Sequence, residues 1–203
     1  MLELERRHSV AATRRKILQA AQERDGYAAA SMAAIAATAD VSLKTVYLVF
    51  ETKGNLLRAL WHLLLRGDRD TVPVGEQDWY REVLDEPDPA RALRLNLRNS
   101  RAVKVRAGRL LEVIRGAAPG DRDIATLWQR IQIEYHANQR AVVETIADRG
   151  GLDPRHDVET ATDILWALNH PSFYALLANE RGWSPERYER WLGELLEAHL
   201  LAR

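Results

Sequence analysis

Residues 31–54, SMAAIAATADVSLKTVYLVFETKG, contain two apolar patterns of helical period with a short turn between them. In each pattern the apolar residues share one helix face, Ile35, Ala36 and Ala39 in the first and Val46, Val49 and Phe50 in the second. Ser42 precedes the second pattern and is a favoured N-cap residue. The stretch therefore predicts a helix-turn-helix, a unit whose second helix enters the major groove of DNA.

The predicted turn, Asp40-Val41-Ser42, has an apolar residue at its centre. Val41 makes sense there only if its side chain covers a small core, and Ala36 is small where a second helix must cross the first. An ordinary helical hairpin would explain the periodicity alone, and such hairpins are common. The apolar turn residue, the small crossing residue and the N-cap fall in one register, which favours a DNA-binding unit.

The outer side of the second predicted helix carries Lys44, Thr45, Tyr47 and Leu48 in a basic segment, since residues 6–58 contain nine Lys or Arg and four Asp or Glu. Positive charge and hydroxyl groups are what phosphate contacts require. Lys44 could reach guanine acceptors, and Thr45 could bond a base edge or meet a thymine methyl group. The sequence does not choose between these contacts.

The run TRRKIL-AA----GY---SM--IA--A-VS--TVY--F--K--LL, over roughly residues 12–60, resembles the N-terminal domain of the TetR family of bacterial transcriptional regulators. The resemblance implies DNA-binding roles for Ser31, Ser42, Leu43, Lys44, Thr45, Tyr47, Leu48 and Lys53. Ser31, Tyr47 and Lys53 match positions that contact phosphate.

Two residues depart from the pattern of the family. Asp40 stands where glycine is usual, but Asp tolerates the left-handed conformation better than most residues, so the turn should form. Val49 stands where histidine is frequent, so one phosphate contact should be missing.

Composition limits the class of protein. The chain has 203 residues, 29 basic and 29 acidic side chains and no cysteine, which excludes disulfides and thiolate metal sites. No run of eighteen apolar residues occurs, and the N-terminus lacks the features of a signal peptide, so we expect a cytoplasmic protein. The zero net charge argues against a protein that coats nucleic acid generally, and fits a DNA reader with a second, non-DNA part.

The remaining pattern predicts an all-α fold, with an N-terminal three-helix domain at residues 1–56 and a second helical domain at residues 57–203. The resemblance implies that the second domain binds an effector and forms a dimer. The first domain should contain a helix that stops near Gly26. Further helices are predicted at residues 53–69, 78–84, 88–103, 105–117, 121–149, 156–180 with a bend at Pro171, and 185–200.

The C-terminal run resembles the same family less specifically, and the family's dimeric bundle implies an interface made by Ala161, Leu165, Leu168, Tyr188, Trp191, Leu192 and Leu195. The family also implies an effector pocket, with candidate residues Trp61, Leu64, Leu111, Trp128, Tyr135, Trp166, Asn169, His170, Phe173 and Tyr174, and with His136 as a further polar group. The alternative for both sets is packing in the core of the monomer. The polar pair Asn169-His170 before Pro171 is a better effector candidate, because a proline leaves carbonyl groups unpaired.

Two basic runs have two interpretations each. Arg6, Arg7, Arg14, Arg15 and Lys16 form either a solvated terminus or a mobile arm on phosphate. Residues 91–115 contain eight Lys or Arg and one acid, Glu112, and form either a solvated face neutralised by acidic neighbours or a site for an acidic ligand.

The resemblance thus implies a homodimeric, ligand-responsive repressor that binds double-stranded operator DNA and is released by a small-molecule effector. An enzyme is disfavoured because the chain has no HExxH, P-loop, GxSxG or GxGxxG pattern, and no cofactor or metal is predicted. The alternative is a helical small-molecule-binding or adaptor protein with impaired DNA reading.

Overall fold

The computed structural model describes residues 2–23, 31–66 and 74–202. These residues form α1 (Leu2–Glu23), α2 (Met32–Thr38), α3 (Leu43–Phe50), α4 (Lys53–Arg66), α5 (Asp78–Asp85), α6 (Pro89–Ala117), α7 (Arg122–Asp148), α8 (Val158–Leu168), α9 (Pro171–Tyr174) and α10 (Pro185–Leu200). Short 3₁₀ turns occupy Val74–Glu76 and Ala118–Gly120, and a π-helical segment occupies Ala175–Glu180. The predicted all-α fold is confirmed, since this part of the chain contains an isolated β-bridge between Leu152 and Leu201 but no strand.

The chain divides into two compact units. The first comprises residues 1–67 and 110–128, and the second comprises residues 68–109 and 129–203. Helices α6 and α7 therefore contribute residues to both units. The boundary predicted at residue 56 stays a prediction; α4 begins before it and ends after it.

The first unit has an apolar core to which its helices each contribute buried side chains. These are Ile17, Leu18, Ala20 and Ala21 of α1, Met32, Ile35 and Ala36 of α2, Val46 and Phe50 of α3, and Leu56, Leu57 and Leu60 of α4. Helix α3 turns by 111° relative to α2, within the range of helix-turn-helix units. Each large apolar side chain buried in this way stabilises the fold by about 1.5–3 kcal/mol.

The turn between α2 and α3 is a Schellman motif with Asp40 in the left-handed conformation at φ 50°. The Val41 N–H donates to the Ala36 carbonyl at 3.0 Å, and the Asp40 N–H donates to the Ala37 carbonyl at 3.2 Å. Val41 is partly buried, as its apolar character predicts. The turn therefore forms with Asp in place of the usual glycine.

The connection from α3 to α4 is a tight γ-turn at Glu51, where φ is 60° and ψ is −54°. The Thr52 N–H donates to the Phe50 carbonyl at 2.6 Å. The Thr52 hydroxyl then accepts the Asn55 N–H at 3.1 Å and caps the start of α4. Two residues thus reverse the chain between the two helices.

In the second unit, α5 to α10 surround a core that includes Leu93, Leu97, Val142, Leu165 and Leu192. The end of α7 and the start of α6 meet at close range. A Cβ atom on Gly151 would lie 2.4 Å from Cβ and Cγ of Pro89, so this contact admits only glycine.

Two predicted helix boundaries are wrong. The break predicted between residues 103 and 105 does not exist, because α6 is continuous and Val-Lys-Val contains neither proline nor glycine to interrupt it. The bent helix predicted at residues 156–180 is instead α8, a non-helical Asn169-His170 step, α9 and the π segment. The residue before a proline avoids the helical conformation, which explains the step. Gly26 lies outside the described residues.

Within the described ranges, no single helix is long and apolar enough to cross a membrane, and only α2 and α3 taken together across their bend reach that length and composition.

We predict that Asp40→Gly leaves stability within about 1 kcal/mol of the parent, because relief of left-handed strain offsets the added freedom of the unfolded chain. Asp40→Val should destabilise by about 1–2 kcal/mol, since a branched side chain is strained at positive φ. Urea unfolding measures both. Ala37→Val, at an exposed right-handed position of α2, is the control, and equal losses from the two valine variants would contradict the assignment of strain to the turn.

Candidate functional site

Helix α3 has one buried face and one exposed face. Val46 and Phe50 are buried, whereas Lys44 is exposed, Tyr47 is 48% exposed and Leu48 is 75% exposed. Leu43 is exposed as well, at the first turn of the helix. An exposed leucine on a short, rigidly held helix covers nothing within the described chain, so this face is suited to contact with another molecule.

Two serines cap the helices of the motif. The Ser31 hydroxyl accepts the Ala34 N–H at 3.1 Å, and the Ser42 hydroxyl accepts the Thr45 N–H at 3.0 Å. The hydroxyls of Ser42 and Thr45 are also hydrogen-bonded to each other at 2.8 Å. Ser31 is exposed and its hydroxyl proton can still be donated to a phosphate oxygen.

Lys53 is the first residue of α4 and is partly exposed. The first N–H groups of a helix lack partners within the helix and carry a partial positive charge, which attracts anions. Lys53 adds a full positive charge at this end of α4, where the predicted phosphate contact requires it.

The second unit contains a buried polar network that the sequence analysis missed. Lys104 of α6 is 4% exposed, and its ammonium group donates to the Asn169 side-chain oxygen. The Asn169 amide donates to Ser100 at 3.0 Å and to Gln139 at 3.3 Å. Asn169 therefore holds α6 and α7 at the step between α8 and α9.

Two further groups complete this network. Asn96 donates to the Gln139 side-chain oxygen at 3.0 Å, and Tyr135 donates its hydroxyl to the Asn169 carbonyl at 2.5 Å. The Tyr135 bond satisfies the Asn169 carbonyl, two residues before Pro171, and the Ala167 carbonyl accepts the His170 N–H at 3.2 Å. The carbonyl groups at this step therefore have partners within the chain.

Burial lowers the pKa of Lys104 from its usual 10.5 to about 7. In the described part of the chain no carboxylate pairs with it, and its charge is stabilised by Asn169 and by the Tyr188 ring, whose centroid is 5.2 Å from Nζ. Burial also raises the pKa of Tyr135, and raises that of Tyr80 to about 12.

The polar side chains next to the step between α8 and α9 differ in whether their hydrogen-bonding groups have partners. His170 accepts the Ser172 N–H on Nδ1 at 3.2 Å, so its Nε2 carries the proton and donates to the Gln132 side-chain oxygen at 3.1 Å. The side-chain amide nitrogen of Gln132 is buried and has no hydrogen-bond partner among the described residues. The indole N–H of Trp166 is likewise buried without a partner. The centroids of the Trp166 and His170 rings are 5.5 Å apart, so both residues with an unpaired donor lie next to His170.

The remaining effector candidates fall in both units. Tyr174 is buried against Tyr188 and Phe173 is 38% exposed in the second unit, where His136 hydrogen-bonds Asp163 at 2.9 Å. In the first unit three candidates, Trp61, Leu64 and Leu111, are buried. The fourth, Trp128, is partly exposed. Asn169 and Tyr174 are committed to the core of the second unit.

The predicted interface residues differ in accessibility. Ala161, Leu165, Tyr188 and Leu192 are buried within the chain itself. Leu195 is 39% exposed, and Leu168 and Trp191 are partly buried. Only the last three have surface that a second copy could cover.

Three of the eight basic residues in the run on α6 form ion pairs with acidic side chains. Arg94 pairs with Glu197 at 2.9 Å, Arg101 pairs with Glu186 at 2.8 Å and with Glu189, and Arg91 pairs with Glu86 at 3.0 Å. These contacts support a solvated face with acidic neighbours over a site for an acidic ligand.

Comparison with known proteins agrees with the helix-turn-helix geometry. Residues 17–60 match the family model described as bacterial regulatory proteins, tetR family. No curated protein sequence matches the chain. The resemblance seen in residues 12–60 is confirmed, since this segment matches the DNA-binding domain of these regulators. The match and the shared fold support a DNA-binding transcriptional regulator.

Solved structures share the fold over nearly the whole chain. NalD, the secondary repressor of the MexAB-OprM multidrug efflux pump in Pseudomonas aeruginosa, is 22% identical with a TM-score of 0.67, covering 94% of this chain and 97% of NalD. The SmeT–triclosan complex is 19% identical with a TM-score of 0.68, covering 94% of this chain and 92% of SmeT. A TetR transcription regulator from Haloarcula marismortui is 20% identical with a TM-score of 0.67, covering 94% and 99% of the two chains.

We predict that the free energy of unfolding rises between pH 7.5 and 9.5, because the unfolded chain keeps a proton on Lys104 that the folded chain has released. One such group contributes up to about 1.4 kcal/mol per pH unit. Above pH 10 the trend should reverse, since buried Tyr80 and Tyr135 keep protons that the unfolded chain loses.

Urea unfolding of Lys104→Met at pH 7.5, 8.5 and 9.5 measures this contribution, and the variant should show a flatter pH profile than the parent. Lys44→Met, which removes an exposed lysine, is the matched control and should keep the parental slope. Identical slopes for all three proteins would show that Lys104 is charged throughout.

Proposed function

We propose that this chain, which belongs through its N-terminal domain to the TetR family of bacterial regulators, is a homodimeric repressor that a small-molecule effector releases from its operator. The exposed face of α3 carries the proposal, because its opposite face is buried and fixes the direction in which Lys44, Tyr47 and Leu48 point. A repressor must reach its operator on the bacterial chromosome, which lies in the cytoplasm, so we propose a cytoplasmic location.

Specific binding would combine base contacts from α3 with phosphate contacts around it. Lys44 and Thr45 are the candidates for base edges, although the Thr45 hydroxyl is shared with Ser42. Ser31, Tyr47 and Lys53 are the candidates for phosphate, since they are accessible and stand at helix starts or beside the reading face.

Dimerisation would place two α3 helices on half-sites about 34–36 Å apart or at a multiple of that distance. NalD, which has a similar fold, is named as a repressor, and this supports repression rather than activation as the role of this protein. Leu168, Trp191 and Leu195 supply the accessible apolar surface of the proposed interface, and the buried candidates beneath them hold α8 and α10 in place.

Release requires the effector to bind the non-binding conformation more tightly. A thousandfold loss of operator affinity corresponds to about 4 kcal/mol of coupling. Helix α4 is the proposed lever, because it carries Lys53 at its first residue and the buried Trp61 two turns later. The triclosan named for SmeT supports a small-molecule effector here without identifying it.

The presence of Asp40 in place of the usual glycine does not support the adaptor alternative. The turn that contains it forms with both Schellman hydrogen bonds, and the reading face beyond it is exposed. An impaired DNA domain would have to arise elsewhere.

The test of DNA reading is fluorescence anisotropy on DNA from the upstream region of the chain's own gene and on a scrambled duplex, at two salt concentrations. The parent should bind the first duplex about 10³-fold or more tightly than the second, with strong salt dependence. Lys44→Ala should cost about 1–3 kcal/mol on the specific duplex only. Tyr47→Ala should weaken binding to both duplexes.

Arg98→Ala is the matched control, since Arg98 is an exposed arginine of the second unit. Its affinity should equal that of the parent. If the double variant at Lys44 and Tyr47 retains specific binding, α3 is not the reading helix. Equal weak binding of the parent to both duplexes would favour the adaptor alternative.

The dimer proposal predicts that Leu195→Glu converts the protein to a monomer in sedimentation analysis, because a carboxylate in an apolar interface loses hydration without gaining a partner. Val105→Glu changes another exposed apolar residue of the second unit and should remain dimeric. A parent protein that sediments as a monomer at micromolar concentration would refute the proposal directly.

A further inference from the structure

A pocket of about 280 Å³ lies in the first unit, beside the C-terminal end of α3. It is lined by α1, the end of α3, the γ-turn and α4, through Arg14, Val49, Phe50, Glu51, Asn55, Arg58, Ala59 and His62. Most of these side chains are polar, whereas pockets for drug-like molecules are mostly apolar. The size and lining suit a small charged group.

Two guanidinium groups dominate the charge of this pocket. The Arg14 guanidinium carbon lies 5.6 Å from the centroid of the Phe50 ring, which supports the guanidinium by a cation–π contact. Arg58 donates one N–H group to the Asn55 side-chain oxygen, which leaves the rest of its fork of five donors for a ligand. Planar forks of this kind match the oxygens of phosphate groups.

The pocket lies at the C-terminal end of the helix whose exposed face is proposed to read DNA. Helix α3 has eight residues and is therefore about 12 Å long, close to the width of about 12 Å of the major groove. Tyr47 and Leu48 of the reading face directly precede Val49, the first pocket residue of α3. When the N-terminal turn of α3 contacts bases, its C-terminal end reaches the edge of the groove, where the phosphates are.

We propose that this pocket receives a backbone phosphate of DNA, with Arg14 and Arg58 as its ligands and Glu51 as an opposing charge. The proposal rests on the DNA-binding function proposed above. It adds Arg58, which the sequence analysis did not single out, and it places Arg14, one of the basic residues considered there for phosphate contact, in a defined pocket. Position 49 is valine, which cannot bind phosphate itself, and the guanidinium groups from α1 and α4 supply the charge beside it. The Glu51 carboxylate on the same pocket weakens the attraction for every duplex equally.

The experiment is anisotropy over a series of salt concentrations with Arg14→Gln, Arg58→Gln and Glu51→Gln. Loss of one phosphate contact should reduce the slope of log affinity against log salt by about 0.9, on specific and scrambled DNA alike. Arg14→Gln and Arg58→Gln should each weaken binding roughly five- to tenfold at about 0.1 M salt. Glu51→Gln should tighten binding to both duplexes.

Arg98→Gln removes the same charge from the second unit and should leave the slope unchanged. Arg58 is exposed and leaves the core intact when changed, so its variant remains informative if Arg14→Gln, which loses the contact with Phe50, does not fold. Slopes of Arg58→Gln and Arg98→Gln that both equal the parental slope would overturn the proposal. Failure of the parent to prefer its own DNA would instead count against the function proposed above and favour the adaptor alternative.

A titration with inorganic phosphate at constant ionic strength separates DNA phosphate from a free ligand. Weak, unsaturable binding to the protein without DNA is the expected result, because a single phosphodiester contact gains its strength from the rest of the duplex. Saturable binding at micromolar phosphate that Arg58→Gln abolishes would assign the pocket to a small phosphorylated molecule and overturn the proposal.

Discussion

The burial of Val46 and Phe50 is the constraint on which the DNA-binding unit depends. A helix of eight residues is too short to be stable alone, so its position is set by packing against α1, α2 and α4. Once these two side chains are fixed, helical geometry directs Lys44, Tyr47 and Leu48 to the opposite side. The Schellman motif before α3 and the γ-turn after it determine where the helix begins and ends. The exposed face is therefore a consequence of the core and not a separate feature.

The second unit is held at one point by polar contacts instead of apolar ones. Lys104, Asn169 and Gln139 are buried together, and Asn169 is hydrogen-bonded to both of the others. Such a network is costly when any member is unpaired, so it favours one arrangement of α6, α7 and the α8–α9 step over near alternatives. The unpaired donors of Gln132 and Trp166 lie close to the same step, beside His170. A ligand that supplied an acceptor oxygen there would act on the element that this network fixes.

The helix-turn-helix could be predicted from sequence because its signals are local. The roles of Ser42 and Val41 are set by residues three to five positions away, and the structure gives the cap of α3 and the turn as predicted. The structure also shows that Ser31 caps α2, which the sequence analysis did not predict. The network around Lys104 could not be predicted in the same way. Leu93, Leu97, Ser100, Lys104, Ala107 and Leu111 follow one helical stripe, which places Lys104 on the inner face. A helix boundary between residues 103 and 105, as predicted from the sequence, interrupts this stripe and leaves the burial of Lys104 without a pattern to indicate it.

Other parts of the site depend on contacts between distant segments. Nothing in the local sequence distinguishes Leu192, which is buried by its own chain, from Leu195, which is exposed on the same helix. The ion pairs from α6 to Glu186, Glu189 and Glu197 join residues more than eighty positions apart, so this pairing follows only from the tertiary fold. The pocket beside Val49 likewise joins α1 to α4.

The two exposed leucines of the reading face, Leu43 and Leu48, have a consequence for the chemistry of the duplex that such a face can distinguish. A leucine cannot exchange hydrogen bonds with a base edge, so its gain on binding DNA comes from covering apolar surface. In the major groove that surface is the C5-methyl group of thymine. Uracil presents the same donors and acceptors without the methyl group. A duplex in which uracil replaces thymine therefore preserves every polar contact open to Lys44 and removes the surface that the leucines would bury.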